Sequence, residues 1–162
     1  MRAIRRGILK KACFLFIAMT LLSTNAIGAE PPQWLYDAIK KENPNQLAYF
    51  VGIDRGCPFT KETLNQIVEG VFIRSRIKPL KEDVFVSGRI YLHLYVRCVP
   101  LKNNNPVFSA RAYFGRLMPT PAVVFDYDFG NLGIGPTDYI QQKVKGYVED
   151  AMTAYIKANF NF

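Results

Sequence analysis

Histidine is nearly absent from this chain: 162 residues contain one, His93. One imidazole excludes a histidine-built metal cage and leaves any acid–base role to a side chain in need of neighbours. Cysteine is scarce too, with Cys13, Cys57 and Cys98. No short-spaced ligand pair exists among these residues, so a zinc site has no framework. Neither a nucleophile elbow nor a dinucleotide or P-loop fingerprint is present. Internal repeats, linkers and low-complexity tracts are missing as well. These absences leave no catalytic set, no cofactor and no metal site to assign, and the reading leans away from an enzyme.

Acidic residues are missing from the first 29 positions. Arg2, Arg5, Arg6, Lys10 and Lys11 form a basic head, residues 12–22 form an apolar run, and Ala26, Gly28 and Ala29 close the segment. That order is the pattern of a secretory signal peptide. Cleavage is expected after Ala29, with the bond after Gly28 as the alternative. The apolar run is about half the roughly 20 residues that a bilayer-spanning helix needs. No second run of that length follows, so no transmembrane segment is expected after cleavage. Cys13 stands at the start of the apolar run, not at the cut, which argues against lipid acylation. The expected product is a single exported domain of residues 30–162, periplasmic or secreted.

The leader changes the meaning of the charge. The whole chain carries 21 basic and 13 acidic residues, a net of +8; without the five leader cations the balance is 16 against 13, or +3. That is an ordinary surface, not a nucleic-acid footprint. Export also leaves an even pair of cysteines, Cys57 and Cys98, most simply joined as a disulfide in an oxidising compartment.

Periodicity supplies the elements. Residues 32–41 read as a helix with Trp34, Leu35, Ala38 and Ile39 on one face, ended by Asn43-Pro44-Asn45. Residues 46–53 alternate with apolar side chains on both faces, a strand inside a sheet. Thr60 is a helix N-cap before the stripe Leu64, Ile67, Val68, Val71 and Phe72, and Gly70 within it suggests close backbone packing. Residues 84–99 are extended with a break at Ser87-Gly88, and from Ile90 onward the period is two. Residues 108–114 and 122–129 give two more strands. Gly130 to Pro136 reads as a loop, and Thr137 caps a final helix. Its stripe is Ile140, Val144, Tyr147, Val148, Ala151, Met152, Tyr155 and Ile156. The order α-β-α-β-β-β-α predicts an α+β fold, a mostly antiparallel sheet of about four strands packed by helices.

Four features could carry function. His93 sits mid-strand between Tyr91 and Tyr95, a position that usually belongs to a sheet residue. Asp126 and Asp128 share a strand face and could hold a cation or divide acid and base roles. The glycines of residues 130–135 lie between strand and helix, but Leu132 and Ile134 favour a loop on the core or against a partner over a phosphate cradle. The face carrying Tyr91, His93, Tyr95, Arg97, Arg111 and Tyr113 is the candidate binding face, because tyrosine and arginine are enriched where proteins bind proteins. The closing Phe160-Asn161-Phe162 is apolar for a chain end, fit to dock on the fold or on a partner.

The helix ending in residues 71–77, the extended segments after it and the long last helix resemble the layout of many small exported bacterial proteins. That resemblance is architectural, implies an accessory or assembly role in the cell envelope, and supplies no site residues. The leading expectation is a non-enzymatic module that binds a protein partner in the envelope. A small exported hydrolase using Asp126 and Asp128 with a metal or with His93 is the alternative. An inhibitor or immunity-like protein acting on another exported enzyme is the third reading.

Overall fold

The computed structural model describes residues 30–81, 86–101, 105–118 and 123–160. The expected leader, the start of the 84–99 extended run, Pro119, Pro121, Ala122, Asn161 and Phe162 lie outside the described residues.

Helix α1, Gln33–Ala38, is brief, with Leu35 and Ile39 turned into the core. Trp34, expected on that buried face, is exposed, because so short a helix buries only its i,i+4 pair. Strand β1, Gln46–Ile53, lies inside the sheet as its two apolar faces require. Helix α2, Lys61–Arg74, starts at Thr60, whose side chain accepts from the Thr63 N–H, and buries Leu64, Val68, Val71 and Phe72. Gly70 does not mark close packing: only Arg74 of the same helix lies near the space a Cβ would take. After α2, Ile77 N–H bonds back to Phe72 O and Arg76 N–H to Ile73 O, with Arg76 left-handed at φ 58° and Ile77 buried. This is a Schellman ending with arginine where glycine is usual.

Strand β2, Lys78–Leu80, follows at once and was not legible in the sequence. Three residues are too few for a period, and Pro79 argues against a strand except at a sheet edge, where β2 lies. Strands β3, Ile90–Val99, β4, Val107–Arg116, and β5, Val123–Ile134, complete the sheet. The order is β2-β1-β3-β4-β5; β1 is parallel to both neighbours, and the β3-β4-β5 pairings are antiparallel. Among the described residues the fold is therefore mixed α+β, an open sheet of five strands with three helices. The expected mostly antiparallel sheet of about four strands is close but not exact: a fifth strand is present and β1 runs parallel to both neighbours, since alternation reports a strand's faces and not its direction.

The glycine segment is a second correction. Gly130 to Ile134 belongs to β5 and pairs with residues 107–111 of β4. The glycines let the strand press against its neighbour, with Gly130 over the Ala110–Arg111 backbone and Gly133 under the Phe108 ring. Leu132 and Ile134, 68% and 61% exposed, project from this edge and do not fold onto the core.

Helix α3, Thr137–Asn159, buries Ile140, Val144, Val148, Ala151, Met152, Ala154 and Tyr155. These pack in one cluster with the buried residues of α1 and α2 and with Leu92, Leu94, Val96, Phe108, Ala110, Ala112 and Phe114 of the sheet. All three helices thus cover one face. Phe160 packs against the same cluster. The Cys57–Cys98 disulfide closes a separation of 41 residues and ties the turn after β1 to the end of β3. No helix among the described residues is long and apolar enough to cross a membrane.

Candidate functional site: the open face of the sheet

The helices leave the opposite face of the sheet without a covering element among the described residues. Its side chains fall into rows set by strand register. Ala48, Tyr91 and Gly115 form the first row, Phe50, His93, Tyr113 and Asp128 the second, Gly52, Tyr95, Arg111 and Gly130 the third, and Arg97 and Ser109 the fourth. The six residues singled out by sequence do share this face.

Their environments differ along it. Tyr91 is 5% exposed and packs with Ala48, Phe50, Leu80 and Leu117, its hydroxyl lying over Gly115. It belongs to a small apolar cluster at one end. Arg97 and Arg111, 66% and 60% exposed along their side chains, stand at the other end. Between them His93 and Tyr113 are half-buried and joined by a 2.5 Å hydrogen bond between the tyrosine hydroxyl and Nδ1. Burial holds the imidazole pKa below its ordinary 6.5, so the ring is neutral at neutral pH. Burial also raises the Tyr113 hydroxyl, against the lowering pull of Arg111.

Tyr95 is held by a residue the sequence reading passed over. Asp54, in the turn just after β1, accepts the Tyr95 hydroxyl at 2.8 Å and faces Arg97 Nε at 3.6 Å. Arg97 in turn lies 5.0 Å above the Tyr95 ring centre, a cation–π contact. Gly52 makes this possible, since a Cβ there would strike the ring. The signal available in sequence was an acidic residue directly following a strand, one position beyond the Ile53–Val96 pairing. Arg111 pairs with Asp128 across β4 and β5. The tyrosines and arginines are thus positioned by partners, which lowers the entropy lost when a further group binds them.

A groove of about 430 Å³ runs between this face and the edge of β5. Its floor includes Tyr95, Arg97, Arg111 and Tyr113. Its rim is a bulge, where Phe125, Asp126 and Tyr127 stand opposite Phe114 alone between the Tyr113–Asp128 and Gly115–Val124 pairs. Bulges re-aim side chains beside functional surfaces. Asp126 and Asp128 do meet in this groove, but Asp128 is engaged by Arg111, and His93 bonds to a hydroxyl and not to a carboxylate. Among the described residues no three His, Cys, Asp or Glu side chains gather as a metal site.

No family model and no curated protein matches the chain. Its backbone is similar to the crystal structure of a minor lipoprotein from Acinetobacter baumannii, at 6% identity over 70% of this chain and 92% of that one, with a TM-score of 0.34. A likeness at that level bears on neither activity nor partner.

Proposed function

We propose that the protein is exported to the periplasm or beyond after removal of residues 1–29, and that it acts there as a non-enzymatic module binding a protein partner of the cell envelope. The contact surface is the open sheet face around Tyr95, Arg97, Arg111 and Tyr113. The observation that carries the reading is that all three helices pack on the other face, leaving positioned tyrosines and arginines beside a groove. Aromatic and arginine anchors dominate the energetics of protein contacts. The basic-apolar-small leader and the disulfide support the exported setting.

The test is affinity capture from envelope extract with the natural protein and with Tyr95→Ala/Arg111→Ala, both checked for folding by circular dichroism. Capture of a specific partner by the natural protein, lost in the variant, is expected. An unchanged set of captured proteins would remove the face from consideration. An inhibitor or immunity-like role uses the same surface and differs only in the partner recovered. The hydrolase reading predicts instead a metal- or His93-dependent activity lost in Asp126→Asn, and the ion pair held by Asp128 weighs against it.

A further inference from the structure

The two edges of the sheet are unlike. β2 is three residues long and carries Lys78 and Pro79, devices that blunt an edge against pairing. β5 is twelve residues long, and among the described residues no strand lies along its outer side. Its first half is blunted too, by the bulge at residues 125–127 and by Asp126 and Asp128. Its second half is not. Residues 129–135 hold no charged side chain and no proline, and Leu132 and Ile134 are exposed. The chain enters β5 from β4 at Val123, the opposite end of the strand. An unprotected apolar edge is a template for another strand.

The backbone there is aimed outward. Gly135 N–H donates to Pro106 O at 3.4 Å, which turns Gly135 toward β4. Peptide groups alternate in direction along a strand, so Gly130, Leu132 and Ile134 turn theirs away from β4. Leu132 N–H accordingly donates to the Oδ1 of the adjoining Asn131 at 2.7 Å.

The segment also complements itself. Laid antiparallel on a second copy about a two-fold axis at Leu132, Leu132 meets Leu132, Gly130 meets Ile134, Asn131 meets Gly133 and Phe129 meets Gly135. Every glycine then faces a residue with a side chain, and the exposed Ile134 lies beside the space that Gly130 leaves. The outward N–H and C=O groups of Gly130, Leu132 and Ile134 face the same set in the second copy. Neighbouring registers are worse. An axis at Asn131 sets Asp128 against Ile134, and an axis at Gly133 sets Asp128 against Asp138. With the axis at Leu132, Asp128 falls opposite Pro136, beyond the end of the strand.

We propose that the second half of β5 is a pairing edge for a second copy of this chain, joined antiparallel about Leu132 into one sheet that runs through both copies. The pairing does not rest on the envelope partner. It sets two open faces on one side of the joined sheet, each with its own groove. The paired stretch is short, so the contact belongs at the small end of specific interfaces, and a dissociation constant of roughly 1–100 μM is expected.

Sedimentation velocity of the purified natural protein from about 1 μM to about 1 mM tests the pairing. A monomer–dimer equilibrium is expected, with nothing larger, because a two-fold contact closes on itself. Leu132→Lys and Leu132→Glu should each weaken it about ten-fold or more, since like charges then meet on the axis. An equimolar mixture of the two variants should dimerise again. Val99→Lys, at an exposed position on β3, should leave the equilibrium unchanged. A monomer at every concentration overturns the proposal and leaves the edge to a strand of another protein. A dimer indifferent to Leu132→Lys, or no recovery in the mixture, overturns pairing about Leu132.

Discussion

His93 bonds to Tyr113 and contacts the Phe50, Tyr95 and Tyr113 rings, and burial keeps its pKa below 6.5. A base depressed on folding has a definite effect on stability. As pH falls below about 6.5 the unfolded chain takes up the proton first, so stability is full above that value and declines toward the lower folded pKa. Urea unfolding from about pH 7 to about pH 5 should show a falling midpoint, and the fall should be smaller in His93→Gln. Asp150, pushed up by burial and then by Glu149, acts in the opposite sense, but it is common to both proteins and cancels in the comparison. Equal pH slopes in the two would show that this imidazole carries no such linkage. At this scale the sequence was informative about which face His93 occupies, because alternation fixes a side chain's face. It was silent on Asp54 and on the burial of Tyr91, since both depend on which strand lies alongside and on whether that neighbour offers alanine or glycine.

Elements with a long period were legible: α2, α3 and β3 stand where their stripes place them, and Thr60 caps as expected. Elements defined by contact were not. Three-residue β2 has no period, and the glycines that prolong β5 are strand breakers unless a close neighbour uses their missing side chains. The end of α2 shows the same gap between local preference and context. Arg76 is exposed and sits at φ 58°, a conformation that costs an L-residue roughly 1–2 kcal/mol and glycine almost nothing. No described hydrogen bond or ion pair engages its guanidinium. Arg76→Gly should therefore raise the unfolding free energy by about 1 kcal/mol, after the unfolded chain's gain in freedom is subtracted, with an unchanged denaturant slope. A loss of stability in that variant would mean the arginine side chain contributes more than its backbone costs.

Across the whole molecule one covalent link connects core and candidate surface. Cys98 is buried at the end of β3, and Cys57 lies three residues after Asp54, the carboxylate that positions Tyr95 and Arg97. Closing a 41-residue separation stabilises the fold by about 4 kcal/mol in the chain-entropy treatment. Against a net stability of roughly 5–15 kcal/mol for a domain, that is a large share. Reduction, or Cys57→Ser/Cys98→Ser, should lower the unfolding free energy by about 4 kcal/mol. It should also speed amide exchange across residues 54–59, because the turn then rests on few bonds, among them Asp54 N–H to Val96 O and Cys57 N–H to Asp54 O. An identical urea midpoint with and without reductant would mean those bonds suffice. In that case the pairing of β1 with β3, and not the sulfur bridge, would be what keeps Asp54 under Tyr95 and Arg97.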